Sequence, residues 1–301
     1  MDRLHLMTVF VAVAETESFA AASRHLGLSP PAVTRAIAAL EKRLGVRLFN
    51  RTTRFVRATE AGQRYLEDAR RIIGEVDAAD DAAAGINAAP RGQLAVTAPV
   101  LFGKMFVLPA VVEYLRRYPA MEVSALFLDR MVNLLEEGLD VGIRIGELPD
   151  SSMKATRVGS VRRVLCAAPG YLKKHGVPDK PAALSTHCII AASGISPTNE
   201  WNFRQGAKAN SVRLSPRLTV SSNDAAIEAA LQGFGITRLL SYQIAPQVEG
   251  GGLKILLKDF EPPPMPIHVV HREGRYASVK IRSFVDLIVA RLRNDRALSS
   301  L

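Results

Sequence analysis

Apolar residues near the start of the chain recur at helical spacing. Leu4, Met7, Val11 and Ala14 follow one another at steps of three and four with Phe10 beside them, which draws a single stripe along a first helix. Ser18 is placed to cap a short second helix through Ala20, Ala21, Ala22 and Leu26, and Gly27 ends it, since glycine accepts the left-handed conformation at a helix terminus. After the Gly27-Leu28 turn, Ser29 caps a third helix with Pro30 at its first position, where a missing N–H costs nothing. The apolar face of this helix is Val33, Ile37, Leu40 and Leu44, and Gly45 closes it. Two helices joined by a tight turn, with alanines where they approach, predict a helix-turn-helix.

Val46 to Arg57 is short, partly apolar and rich in arginine, as a β-hairpin wing would be. From Thr59 the pattern turns helical again. Tyr65, Ala69, Ile72, Val76, Ala79, Ala83 and Ile86 alternate by four and three, the period of about 3.5 residues that marks a coiled-coil seam. A helix over 60–86 would be about 40 Å long at 1.5 Å per residue. Dimerisation through this seam is the expectation; the alternative is an amphipathic helix lying on its own domain. Pro90, Arg91 and Gly92 then break the pattern.

Beyond the break, apolar strands alternate with helices, which predicts an α/β region with a parallel sheet. The strand Leu94 to Val96 leads through Pro99 into a helix carrying Val107, Val111, Val112 and Leu115. A strand (Val123 to Leu128), a helix (Met131 to Glu137) and a strand (Val141 to Ile145) follow. A second set comprises strands at Arg163 to Ala167, Cys188 to Ile190, Arg217 to Val220 and Gly235 to Leu239, with a helix from Asp224 to Gln232. After Pro262-Pro263-Pro264 come a last strand, Ile267 to His271, and a helix from Val279 to Leu292.

Composition sharpens this picture at two points. The net charge of +10 over 301 residues favours a polyanionic partner. Its distribution matters more than its size, because Lys42, Arg43, Arg47, Arg51, Arg54 and Arg57 fall together from the end of the third helix through the wing with no acidic residue among them. The two cysteines, Cys166 and Cys188, sit in apolar surroundings without C-x-x-C spacing and are read as reduced, buried thiols. No apolar run approaches the roughly 20 residues of a membrane span, and the N-terminus lacks a secretory pattern. A cytoplasmic protein without a membrane partner is expected.

The stretch Phe19-Ala20-Ala21-Ala22-Ser23 through Leu26, then Leu28-Ser29-Pro30-Pro31-Ala32-Val33-Thr34-Arg35-Ala36-Ile37, Leu40-Glu41, Leu44-Gly45-Val46, Leu48-Phe49, Arg51 and Thr59-Glu60-Ala61-Gly62 resembles the signature of LysR-type transcriptional regulators. The similarity continues in Leu108-Pro109, Tyr118-Pro119, Gly138 to Gly146 and Pro169-Gly170-Tyr171-Leu172, so it spans essentially the whole chain. The resemblance implies a winged helix-turn-helix at 1–59, a linker and dimerisation helix at 60–89, and an effector-binding region at 90–301. That region would hold two α/β subdomains resembling periplasmic solute-binding proteins, one from 90–161 plus 265–301 and the other from 162–264. It further implies a homodimer or tetramer on double-stranded DNA, with a small-molecule effector, of which a carboxylate is the class suggested, in the cleft between the subdomains.

DNA contacts are expected at Pro30, Pro31, Thr34 and Arg35, because the first residues of a recognition helix reach base edges. Pro30 replaces the glutamine of many relatives, so any base reading there is apolar. Arg35 would bind guanine or phosphate, or else stand as a solvated charge. Ser18 and Ser29 would offer hydroxyls and helix N-termini to phosphates or serve only as caps, and Arg54 in the wing would reach the minor groove or the backbone. Effector contacts are expected at Val100, Leu101 and Phe102, where a helix N-terminus suits an anion, and at Ser221 and Asn223 before a second helix. Relatives often carry serine or threonine near Leu101. Arg144 would line the pocket or make an ion pair, and Trp201 would line it or pack in a core.

An enzyme is not expected, and neither is a cofactor or metal. His268 and His271 fall on opposite faces of a strand, and no G-x-S-x-G, P-loop or G-x-G-x-x-G pattern occurs. A free solute-binding protein would account for the C-terminal region and leave the helix-turn-helix without a purpose.

Overall fold

The computed structural model describes residues 2–51, 56–84, 89–134, 136–148, 153–192, 200–272 and 278–298. The chain divides into two compact units, one comprising Met1–Ala89 with Asn133–Gly138 and Gly274–Val279, the other comprising Pro90–Val132, Leu139–Glu273 and Lys280–Leu301.

In the first unit, α1 (Arg3–Thr16), α2 (Phe19–Leu26) and α3 (Pro30–Leu44) close around Leu6, Phe10, Val13, Val33, Ile37 and Leu40, all buried. Removing a side chain of this kind costs about 2–5 kcal/mol. The wing is an antiparallel pair, β1 (Phe49–Arg51) and β2 (Val56–Ala58). α4 (Glu60–Ala84) follows.

The second unit holds two five-stranded sheets. β3 (Gly92–Ala98) leads into α5 (Val100–Phe102), a π-helical turn at Gly103–Val107 and α6 (Leu108–Arg117) without a break. β4 (Met121–Phe127), β5 (Val141–Ile145) and β6 (Met153–Val161) complete the N-terminal share of the first sheet. The second sheet takes β7 (Arg163–Ala167), followed by α7 (Pro169–His175), then β8 (Ile189–Ala192). A separate antiparallel hairpin, β9 (Glu200–Gln205) and β10 (Lys208–Arg213), comes next. β11 (Leu218–Val220), α8 (Asn223–Leu231), β12 (Ile236–Leu240), α9 (Ala245–Glu249) and β13 (Lys254–Leu256) finish that half. The chain returns through β14 (Met265–Arg272) to the first sheet and ends in α10 (Val279–Arg293). Strand orders are β4-β3-β5-β14-β6 and β11-β8-β12-β7-β13, so the chain crosses between sheets twice, at 161–163 and between β13 and β14.

Both sheets are mixed, where strand–helix alternation predicted parallel ones. β3 pairs parallel with β4 and β5, but β14 runs antiparallel to β5 and β6, and β12 antiparallel to β7. In the first sheet the cause is the return of the chain, which brings β14 in from beyond the second sheet. The helix expected over Met131 to Glu137 is absent among the described residues there, which form turns with Glu137 N–H on the Asn133 carbonyl at 3.1 Å. Asn133 turns its amide onto the Glu136 carboxylate at 2.8 Å, and Gly138 ends the segment at positive φ.

Candidate DNA interface and effector cleft

The helix-turn-helix is fixed by short-range bonds. Ser18 Oγ accepts the Ala21 N–H at 3.2 Å and so caps α2, while Gly27 takes the left-handed conformation after it. Ser23 Oγ donates to the Leu28 carbonyl across the turn. Ser29 occupies the N-cap of α3 without a side-chain cap bond, so its exposed hydroxyl faces outward uncommitted. The α3 N-terminus offers few donors. Pro30 and Pro31 have no N–H, and those of Ala32 and Val33 both go to the Ser29 carbonyl, at 2.9 and 3.2 Å. A backbone phosphate clamp there, expected from helix position alone, is therefore largely spent.

Pro30, Pro31, Thr34 and Arg35 are all exposed and lie away from the buried Val33, Ala36 and Ile37. Thr34 Oγ1 donates to the Pro30 carbonyl at 3.0 Å and leaves its methyl outward. Arg35 has no hydrogen bond or ion pair among the described residues, so its charge and five donors are available to a partner. Arg54 lies outside the described residues.

The wing is anchored by residues that the sequence signature contains but does not explain. Glu41 Oε1 accepts the N–H groups of Leu48 and Phe49, at 2.9 and 3.2 Å, tying α3 to the first wing strand. Thr59 Oγ1 donates to the Arg47 carbonyl at 2.8 Å and accepts from Gly62 N–H at 3.0 Å, and a Cβ at Gly62 would overlap the Leu48 carbonyl oxygen. Thr59-Glu60-Ala61-Gly62 is thus a clasp between wing and α4. The first half of α4 packs on its own unit: Leu66 and Ala69 are in that core, Tyr65 and Ile72 lie against it, and the Tyr65 ring meets Phe10 edge-on at 5.3 Å. Arg70 also pairs with Glu15 at 2.9 Å. The part of the predicted seam at Tyr65, Ala69 and Ile72 therefore serves the fold of its own protomer, leaving Val76, half-buried, and Ala79, exposed; the side chains of Ala83 and Ile86 lie outside the described residues.

In the second unit, loops of the two sheets meet around Asp129, just past the C-terminal end of β4. Asp129 accepts the Val100 N–H at 3.0 Å through one carboxylate oxygen and the Asn223 side-chain amide at 3.4 Å through the other. Ser222, rather than Ser221, caps α8 by accepting from Ala225 N–H at 3.3 Å, and Ser221 is exposed. Asn223 is buried, with its Oδ1 unpartnered. Apolar contact spans the same gap: the Tyr242 ring of the second half lies edge-on to Phe102 at 5.3 Å and to Phe106 at 5.7 Å in the first. Burial pushes the Tyr242 hydroxyl well above the ordinary tyrosine range, Gln243's hydrogen bond lowering it and nearby Asp129 raising it further, so it stays neutral. Gly103 opens the π-helical turn because the Phe127 ring fills the space a Cβ would take.

The structure thus brings Val100, Phe102 and Asn223 together and adds Asp129, Phe106 and Tyr242. Leu101 is buried in the core, as its side chain dictates. Arg144 donates to the carbonyls of Val132 at 2.9 Å and Ile143 at 3.3 Å, holding the loop after β4. Trp201 is a buried core residue of the second half, covered by Arg238. Asp129 follows a strand at its carboxyl end, the position at which open α/β sheets place ligand groups, and that was the available signal for it. Among the described residues, no group of three or more His, Cys, Asp or Glu is placed to hold a metal, and no helix is long and apolar enough to cross a membrane.

Comparison with known proteins identifies the family. Residues 4–63 match the family described as bacterial regulatory helix-turn-helix protein, lysR family, and residues 87–293 match the LysR substrate binding domain. The HTH-type transcriptional regulator CrgA of Neisseria meningitidis is 31% identical over 290 residues, covering 96% of this chain and 97% of the relative. The HTH-type transcriptional activator TtdR of Escherichia coli is 32% identical over 286 residues, covering 94% and 92%. The solved structure of CrgA, a LysR-type transcriptional regulator, superposes with a TM-score of 0.63 at 31% identity over 96% of this chain and 99% of that one. A full-length OxyR variant from Pseudomonas aeruginosa shares the fold at a TM-score of 0.73 with 15% identity, covering 99% and 97%. These relatives are regulators of transcription, not enzymes, and the chain, with its helix-turn-helix and two-subdomain α/β region, belongs to the LysR family of bacterial transcriptional regulators.

Proposed function

We propose that this chain is a cytoplasmic, sequence-specific DNA-binding regulator that works as a homodimer or tetramer and is modulated by a small carboxylate bound between its two α/β subdomains. Arg35 and the exposed Pro30, Pro31 and Thr34 read bases, with Ser18 and Ser29 at the phosphates and Arg54 in the wing. Association runs through the free part of α4.

One observation carries the effector reading. Asp129 already places a carboxylate on the Val100 N–H and the Asn223 amide, at 3.0 and 3.4 Å, so the cleft supports that group with donors from both halves. An incoming carboxylate takes those donors, frees Asp129 to water and breaks a bond that joins the subdomains. The two halves then reorient, and the change alters the spacing of the DNA-binding heads.

The test is retention of genomic DNA fragments by the purified protein at moderate and high salt. Enrichment of an interrupted palindrome that survives high salt is the expected result. Retention without preferred sequence, lost as salt rises, would reduce the DNA affinity to charge attraction and sink the sequence-specific reading.

A further inference from the structure

The second sheet carries two arginines that no carboxylate among the described residues pairs with. Arg238 on β12 is 8% exposed, and its guanidinium lies 4.9 Å from the centre of the Trp201 ring, with no hydrogen bond or ion pair among the described residues. Arg163 on β7 is half-buried, donates from one terminal nitrogen to the Met265 sulfur at 3.4 Å, and leaves its Nε buried without a partner. The strand register sets them side by side. Arg238 pairs with Leu165 and Leu240 with Arg163, so the two arginines are diagonal neighbours on one face of adjacent antiparallel strands. Neither has a carboxylate partner among the described residues; Glu261 is held by Arg162 at 2.9 Å.

A buried and a half-buried guanidinium of like charge, with a sulfur and an indole face as their only hydrogen-bond or ring partners among the described residues, are an uncompensated arrangement. A thioether is a weak acceptor, and an aromatic face engages the plane of a guanidinium while leaving its edge donors unbonded. Burial, together with the charge of Arg163, lowers the Arg238 pKa to about 9, so it is still protonated at neutral pH. A compact oxyanion satisfies both defects at once, since guanidinium donors match carboxylate and phosphate oxygens in geometry and charge.

We propose that Arg238 and Arg163, beneath Trp201, form a second ligand site that takes a small oxyanion, either inorganic phosphate or the carboxylate of an organic acid. It is distinct from the Asp129–Asn223 group. Arg238 and Arg163 share the sheet face with Leu165 and Ile236, which pack with Trp201 and Phe203 of the hairpin, whereas α8, which Asn223 begins, packs with Val164, Cys166 and Leu239 of the opposite face. The site therefore stands whether or not the cleft binds an effector.

Trp201 is the only tryptophan in the chain, so its emission reports directly on the guanidinium that covers it. The experiment titrates the full-length protein with sodium phosphate and, separately, sodium acetate, at ionic strength matched with sodium chloride. A saturable change in emission with either anion is expected, and which one produces it identifies the source. The response should disappear in Arg238→Met, weaken at least tenfold in Arg163→Met, and persist in Asn223→Ala, which separates it from the cleft. Because Arg238→Met removes a side chain that packs on Trp201, Arg238→Lys and the anion-dependent rise in melting temperature serve as independent readouts: the rise should be present in the wild type and smaller in Arg238→Lys, which keeps the charge and loses the fork. Absence of a saturable response to both anions, or a response undiminished in Arg238→Met, overturns the proposal.

Discussion

Asp129 and Asn223, 94 positions apart in the chain, meet through a carboxylate–amide bond of 3.4 Å that spans the two α/β halves. The other oxygen of Asp129 takes the first free N–H of the helix at Val100, so one side chain both caps a helix and links two sheets.

Removing that side chain should vacate the donors of the cleft. We expect Asp129→Ala to bind a small monocarboxylate such as benzoate several-fold more tightly than the wild type, measured by calorimetry, since the internal competitor is gone. Equal or weaker binding would show that Asp129 is not a stand-in for the effector group.

Arg35 is exposed and has no hydrogen-bond or ion-pair partner among the described residues, so its loss should leave the fold intact. Arg35→Ala is expected to weaken binding to a specific operator by about 1–3 kcal/mol and binding to random duplex by much less. Equal losses on both, measured at one salt concentration, would assign Arg35 to phosphate rather than to a base.

Glu41 accepts two wing N–H groups, and truncating it strands both. Glu41→Ala should destabilise the N-terminal unit by about 1–3 kcal/mol. Gly62→Ala should do so more severely, because the added methyl meets the Leu48 carbonyl oxygen, which accepts the Thr59 N–H, in a residue whose own N–H is held by Glu41. Thermal melts of a fragment are unnecessary; the lowest unfolding transition of the full chain should move down for both variants.

Because Tyr65, Ala69 and Ile72 are committed to their own unit, a polar residue there would unfold before it dissociated anything. Val76→Glu with Ala79→Glu is the cleaner pair, and light scattering should report a lower mass with unchanged helix content by circular dichroism. An unchanged mass would remove α4 as the association surface.

Burial holds the Cys166 thiol up at about 12, against an ordinary value of 9.0. A raised thiol pKa means that the folded state keeps its proton between those values while the unfolded state loses it. Its contribution to stability is therefore whole below pH 9 and declines as pH rises toward 12. At pH 8 Cys166 should resist alkylation in the native protein and react only after unfolding, whereas the half-buried Cys188 is the more accessible of the two. Prompt native labelling of Cys166, read by mass spectrometry, would contradict its burial.

The sequence by itself determined what depends on neighbours a few residues away. Ser18, Gly27, Pro30 and Gly45 punctuate the first three helices because capping and left-handed turns are local chemistry, and the family signature follows from that spacing. The sequence also marked Val100 and Asn223, since both stand where a strand gives way to a helix. Tertiary structure decided the rest. β6 and the β9–β10 hairpin are mostly polar on their exposed faces and carry little apolar signal. Sheet direction depends on a chain that crosses twice, and the seam of α4 is divided because a helix face cannot say which surface will cover it. Asp129 meeting Asn223, and Arg238 meeting Arg163 and Trp201, are pairings across long stretches of chain. Periodicity and spacing describe one element at a time, whereas burial, charge compensation and cross-strand register exist only once the elements are packed.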